Sequence, residues 1–207
     1  MSLFRNKYRV ETTRLPVWDY ASAGWYFVTI CTRDAQCFFG AVNEGAMCLS
    51  ALGAVADAYW QEISQHFDQA VLDAHIVMPN HVHGMIGIMA DPHKASPDSA
   101  PRRAVACNGS TDRGNSPTNA DNSPADSLNN TFMAEISPRA GSLSAMMRSY
   151  KAAVTRWGRN NGFDAFGWQA RFYDHIIRSE RAFQAIRAYI HNNPLKWELD
   201  RNHPMYL

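Results

Sequence analysis

IVMPNHVHGMIGIMA, residues 76–90, decides how this chain is read. Its apolar density suits a buried strand, yet two imidazoles, His81 and His83, stand in its middle just after Pro79-Asn80. Residues i and i+2 of a strand share a face, with Cβ atoms roughly 6–7 Å apart along a rise of about 3.3 Å per residue. His81 and His83 therefore aim together, while Val82 points into the opposite layer. Two neutral imidazoles so placed can hold one divalent cation, and imidazole suits zinc, copper, iron or nickel. A complete site takes a third ligand from elsewhere in the fold. The alternative is that each histidine is a half-buried polar residue hydrogen-bonded to its neighbours. The tight turn ahead and the apolar strand behind hold both rings rigidly, which brings the metal reading level with the structural one.

Working outward, Val71–Met78 and Val82–Met89 read as strands flanking the turn Met78-Pro79-Asn80. Trp25–Thr32 (WYFVTICT) has aromatic and β-branched residues at strand density. Cys37–Val42 and Ala46–Leu49 pair across Asn43-Glu44-Gly45, a hairpin turn. Ser50 is a candidate helix cap, and Leu52, Val55, Tyr59, Ile63 and Phe67 follow at helical spacing. Further on, Ser142 caps a helix striped by Leu143, Met146, Met147, Tyr150, Val154 and Trp157. FGWQARFYDHIIRS then leads to a last helix over Glu180–Asn192, which should end before Pro194 because proline disfavours a helical backbone at Asn193. The sum is an α+β domain: an antiparallel sheet carrying the histidines, with helices packed on it.

Asp91 to Arg139 breaks this pattern with six prolines and only Val105, Leu128, Phe132 and Ile136 from the Leu, Ile, Val and Phe class. Such a segment buries too little apolar surface to offset the entropy of ordering it. It reads as a long disordered insertion, 91–139, within one domain spanning 1–207; a linker between two domains is the other option, but neither flank looks self-sufficient. The 207 residues are 46% apolar and 19% charged, with a net charge of +1 that by itself points to no acidic partner. No export signal or apolar run of about 20 residues is present. The expectation is a cytoplasmic protein without a membrane partner, with Cys31, Cys37, Cys48 and Cys107 as reduced thiols.

No G-x-S-x-G, Walker loop, H-E-x-x-H or dinucleotide fingerprint supplies a reactive group. The helices supply tyrosines. Tyr150 lies on its helix's apolar stripe and reads as core. Tyr189 lies about 90° from the buried face set by Phe183, Ile186 and Ile190 at ~100° per residue, where its ring can pack and its hydroxyl still reach a site. Asn193, four residues on, falls beside it, and its amide oxygen can join a hard coordination set. Between Ala140 and Tyr189, eight cations face three acids, a surplus of five against a total of +1. The N-terminal arm adds Arg5, Lys7, Arg9 and Arg14 against Glu11. Arginines among Trp157, Trp168, Phe172 and Tyr173 suit a phosphate backbone with stacked bases. Solvated helix faces over core aromatics are the plainer account of any one of them.

MPNHVHG followed by WQARFYDHIIRSERAFQAIRAYIHNNP, with WDYASAGWYFVTICT near the start, resembles the REP-associated tyrosine transposases of the single-tyrosine HUH superfamily (His, hydrophobic residue, His). The resemblance spans nearly the whole chain except the insertion. It implies a ferredoxin-like HUH core, with His81 and His83 holding magnesium or manganese, Asn193 at the third-ligand position and Tyr189 as nucleophile. It further implies nicking and rejoining of single-stranded or hairpin DNA through a 5′-phosphotyrosine link. Asn193 stands where several relatives carry the longer Gln. Arg148, Lys151, Trp168, Gln169, Arg171 and Arg178 are the candidate DNA contacts; Trp168, Gln169 and Arg171 match the family's WQ.RF segment. Two other readings stand beside this one: a hairpin-binding regulator without turnover, and a hydrolytic phosphoesterase that would not need Tyr189. Monomer and homodimer both remain open.

Overall fold

The structure is a computed structural model and describes residues 3–4, 7–8, 18–90 and 138–206. The proposed insertion therefore lies outside the described residues apart from Pro138 and Arg139, as do Cys107 and the side chains of the N-terminal arm. The chain runs β1 (Leu3–Phe4), β2 (Lys7–Tyr8), β3 (Gly24–Cys31), β4 (Gly40–Asn43), β5 (Ala46–Leu49), α1 (Ala51–Gln61), α2 (Ile63–His66), β6 (Ala70–Met78) and β7 (His81–Ile88). After the gap come α3 (Leu143–Asn160), β8 (Tyr173–Ile177) and α4 (Glu180–Asn192), then a 3-10 segment, Pro194–Leu199. Four strands make one antiparallel sheet in the order β6-β7-β3-β8. The architecture is the expected α+β one, an antiparallel sheet with helices packed on it.

Alternation along the central strands sorts side chains to two faces. Tyr26, Val28 and Ile30 of β3 and Val82, Ile86 and Ile88 of β7 join Leu52, Ala56 and Trp60 of α1 and Leu143, Met146, Met147, Tyr150 and Val154 of α3 in the larger core. Gly84 is what lets α1 come this close: a Cβ there would lie 2.0 Å from Trp60 Cζ2. On the other face, Phe27, Met85 and Ile177 pack under α4 through Ile190, with Phe183 and Ile186 partly buried. Tyr150 is core, its hydroxyl donating to Ala56 O at 3.0 Å.

Capping explains where the helices begin. Ser50, Ser142 and Ser179 each accept a backbone N–H three residues on, from Gly53, Ala145 and Ala182, which satisfies one of the donors a helix start leaves unpaired. Several details differ from expectation. The hairpin strand begins at Gly40 and not Cys37, because Phe39 is buried and its N–H bonds Pro79 O at 3.0 Å instead. The helix over Leu52–Phe67 breaks at Glu62 into α1 and α2. Tyr173–Ile177, read as a connection, is a fourth strand on β3. The last helix ends at Asn192 as expected, but its cap Asn193 keeps αR dihedrals (φ −60°, ψ −43°) before Pro194: it is buried and bonded to Asp200, and the chain tightens into a 3-10 turn.

Candidate metal and nucleophile site

The two-residue turn Pro79-Asn80 closes β6 onto β7 with Met78 opposite His81. Thr32 is fully buried beneath it, its N–H and its hydroxyl both bonded to Asn80 O at 2.8 and 3.0 Å. Asn80 Nδ2 donates to Ala35 O (3.0 Å) and Asn202 O (2.6 Å). Its Oδ1 therefore faces His81 Nδ1, 2.8 Å away, and the imidazole must be the donor there. That tautomer leaves the lone pair of His81 on Nε2. His83 Nδ1 meets Thr29 Oγ1 at 2.9 Å, so its Nε2 also faces inward, 3.0 Å from His81 Nε2. Burial holds His81 neutral, its pKa pushed down to about 3. His83 is also lowered, first by burial and then by His81.

Helix α4 brings Tyr189 over this pair. Its hydroxyl is 3.1 Å from His83 Nε2 and donates to Asp200 Oδ2 at 3.4 Å. Its ring packs edge-on against His83 and Phe27. Burial, followed by the nearby Asp200 charge, raises the phenol to about 12. The side chain remains 42% exposed, so one side of it faces solvent.

Asp200 was absent from the sequence expectation. Its carboxylate joins the two histidines in a group whose ligand atoms all lie within 4.8 Å of one another. Asn202 N–H bonds its Oδ1 at 2.7 Å, and Asn193 Nδ2 bonds its Oδ2 at 3.0 Å. Asn193 is thus brought beside the ligand group as a brace on the carboxylate, while its own buried Oδ1 has no hydrogen-bond partner among the described residues. Two imidazole nitrogens, a carboxylate and an unsatisfied amide oxygen fit a divalent cation. The 3.0 Å between the nitrogens equals the edge between adjacent ligands about 2.1 Å from a six-coordinate ion. No periodicity could have revealed Asp200, because it follows an irregular turn eleven residues after Tyr189.

A cavity of about 510 Å³ opens beside His83 and Tyr189, with Gln169, Arg171, Phe172, Tyr173 and Arg201 among its walls. The loop that carries Gln169 is fastened to the end of β3: Arg33 N–H bonds Gly167 O, Gln169 N–H bonds Cys31 O, and Thr32 bridges Trp168. Of the six candidate DNA contacts, Gln169 and Arg171 reach this cavity. Trp168 packs between Phe39, Phe166 and Tyr150 and donates to Lys151 O at 3.1 Å, a structural placement. Lys151 donates to Gln169 O at 2.6 Å. Arg148 lies on the outer side of α3 and Arg178 between β8 and α4; both are exposed.

The fold is similar to that of a REP-associated tyrosine transposase solved bound to a REP hairpin. The two structures match at a TM-score of 0.50 and 15% identity over 93% of this chain and 77% of the other. The fold is therefore that of the transposases the motifs resemble. The chain belongs to the same family as an uncharacterized protein of Haemophilus influenzae, 33% identical over 196 residues that cover 92% of this chain and 91% of that one. No protein-family model matches. Among the described residues no helix is long and apolar enough to cross a membrane.

Proposed function

We propose that the protein is a metal-dependent single-strand DNA endonuclease and strand transferase, a tyrosine HUH transposase acting as one domain on hairpin DNA. The observation that carries this reading is the placement of the Tyr189 hydroxyl 3.1 Å from His83 Nε2 at the edge of an open cavity. His81, His83 and Asp200 would hold the ion, with Asn193 as brace or further donor. Magnesium or manganese, when bound, supplies Lewis-acid polarisation of the scissile phosphate and charge stabilisation as it is attacked.

The chain's own residues do the rest. Tyr189 Oη attacks phosphorus in line; the new O–P bond forms as the bond from phosphorus to the 3′-oxygen breaks. The products are a 5′-phosphotyrosine and a DNA strand whose 3′-oxygen takes up a proton from solvent. The phenolic proton passes to Asp200 Oδ2, its hydrogen-bond acceptor. A phenol raised to about 12 is un-ionised at neutral pH, so attack needs this acceptor and the positive charge of the site. Arg171 and Arg201 face the incoming phosphates, and Phe172 and Tyr173 give unpaired bases a surface to stack on. Because the phosphodiester energy is kept in the covalent link, rejoining requires no nucleotide cofactor. Tyr189 reaches the histidines of its own chain, so one copy supplies every group named here.

Covalent trapping tests the reading. Labelled hairpin and unstructured single strands are incubated with the protein and manganese and run on a denaturing gel. A protease-sensitive adduct is expected that disappears with chelator or Tyr189→Phe and survives Tyr150→Phe. Cleavage without adduct, unchanged in Tyr189→Phe, would make the protein a hydrolytic phosphoesterase. Binding with neither product would make it a regulator.

A further inference from the structure

One side-chain amide touches both ends of the ligand group. Asn80 closes the turn from β6 into β7, is 1% exposed and directly precedes His81. Its Nδ2 donates to Ala35 O at 3.0 Å and to Asn202 O at 2.6 Å, while its Oδ1 faces His81 Nδ1 at 2.8 Å. Carbonyl oxygens only accept, so the amide cannot turn over without setting Oδ1 against both of them. That orientation makes Oδ1 the acceptor of the His81 proton. On the other side, Asn202 N–H bonds Asp200 Oδ1 at 2.7 Å, so the same amide ties down the segment that carries the carboxylate. This segment also lays Trp197 against the His81 ring, with centroids 6.0 Å apart. His83 is held differently. Its partner, Thr29 Oγ1 at 2.9 Å from Nδ1, is a hydroxyl that can donate or accept and so permits either tautomer.

We infer that Asn80 is a positioning residue that assembles the metal site: it sets His81 with the Nε2 lone pair inward and holds Asp200 beside it. This rests on the metal reading of the proposed function and not on the tyrosine chemistry. The two ligands come from distant segments, Asn80 and Asn202 being 122 residues apart in the chain. Removing the amide takes a partner from Ala35 O, Asn202 O and the His81 N–H together. A ring released from Oδ1 can carry its proton on Nε2, and a protonated nitrogen has no lone pair to give a cation. A segment released from Nδ2 lets Asp200 draw away from the histidines. The turn itself is fastened by main-chain groups: Thr32 N–H and hydroxyl bond Asn80 O at 2.8 and 3.0 Å, and Phe39 N–H bonds Pro79 O at 3.0 Å. The task of the side chain is therefore separable from the folding of the turn.

Long-range proton–nitrogen correlation spectra of the labelled, chelator-treated protein read the tautomer. Wild type should carry the His81 proton on Nδ1; a proton on Nε2 would overturn the inference without any variant. Asn80→Ala should move His81 toward the Nε2–H form and speed exchange of the Asn202 amide at least about tenfold, with α3 amides unchanged. It should also weaken manganese binding at least about tenfold by calorimetry. Asn80→Asp separates the two duties and keeps the test open should Asn80→Ala fail to fold. At about pH 8 the introduced carboxylate accepts from Nδ1 and donates nothing, so the tautomer should hold while the Asn202 amide exchanges faster. Thr32→Val weakens the same turn through Asn80 O; it should lower the urea midpoint and leave the tautomer and, within about twofold, the manganese affinity unchanged. A tautomer shift there as large as in Asn80→Ala would overturn the inference, as would an unchanged tautomer and affinity in folded Asn80→Ala. A wild type that binds no manganese would sink the inference together with the metal reading. Manganese binding that depends on Asn80, with no Tyr189 adduct in wild type, would sink the tyrosine chemistry and leave the inference standing.

Discussion

On β7, Val82, Ile86 and Ile88 enter one face of the sheet, while His81, His83 and Met85 enter the other. The first face is closed by α1 and α3 over a continuous apolar core, with Trp60 pressed against Gly84. The second is covered only partly: Ile190 is the buried residue of α4, and the helix leaves a cavity at the histidines. Packing on the first face is almost wholly apolar, and the hydroxyls of Tyr26 and Tyr150 each donate to a backbone carbonyl. On the second, two imidazoles and a carboxylate that makes no ion pair among the described residues are withdrawn from water, a cost that a bound cation offsets. One strand thus builds stability with its even-numbered residues and chemistry with its odd-numbered ones, and the two sets should fail separately.

The largest separation is expected at the nucleophile. Tyr189→Phe should reduce adduct formation to background on a denaturing gel while moving the urea unfolding free energy by no more than about 0.5 kcal/mol, as for a half-exposed side chain. Next comes the ligand set. Asp200→Ala should weaken manganese binding at least about 100-fold by calorimetry, and Asn193→Ala, as a brace, about 10-fold. The reverse order would make Asn193 the ligand and Asp200 its support. The opposite face should respond the other way: Gly84→Val forces Trp60 outward and should cost about 1–3 kcal/mol of stability, with the metal affinity of the folded fraction unchanged.

The pH response of the chelator-treated protein belongs to the histidine face. His81 titrates near 6.5 in the unfolded chain and is held down to about 3 when folded. Between those values the unfolded chain binds the additional proton, so the denaturant midpoint should fall as pH drops from about 6.5 toward 3 and be indifferent to this group above that range. His81→Gln should flatten the slope; an unaltered slope would assign it elsewhere. The smallest effect is expected at the ion pair that ties α4 to β6. Arg187 Nε lies 3.2 Å from Asp73 Oδ1, with the arginine half exposed, so Arg187→Ala should cost less than about 1 kcal/mol.

Much of the fold follows from periodicity. The period of two through VHGMIGI and the stripe from Leu143 to Val154 both report which side of an element meets the core, and serine caps mark where the helices start. Tyr173–Ile177 escaped because five residues with an Asp and a His show no clean alternation; pairing with β3 makes them a strand. Asn193 is similar: the proline rule correctly ends the helix at Asn192, but the αR dihedrals of the cap, which bonds Asp200, could not be read from its neighbours.

The sequence by itself determined that His81 and His83 share a face, that Tyr189 lies off the apolar side of its helix, and that α3 is basic and free of acids. These are relations between residues a few positions apart, and backbone geometry alone dictates them. Tertiary structure decided that Tyr189 stands over His83 rather than elsewhere, that Asp200 completes the ligand group, and that Lys151 holds the Gln169 loop at the cavity wall. Each of those depends on where separate elements come to rest against one another. Long-range packing settles that, and no local spacing encodes it.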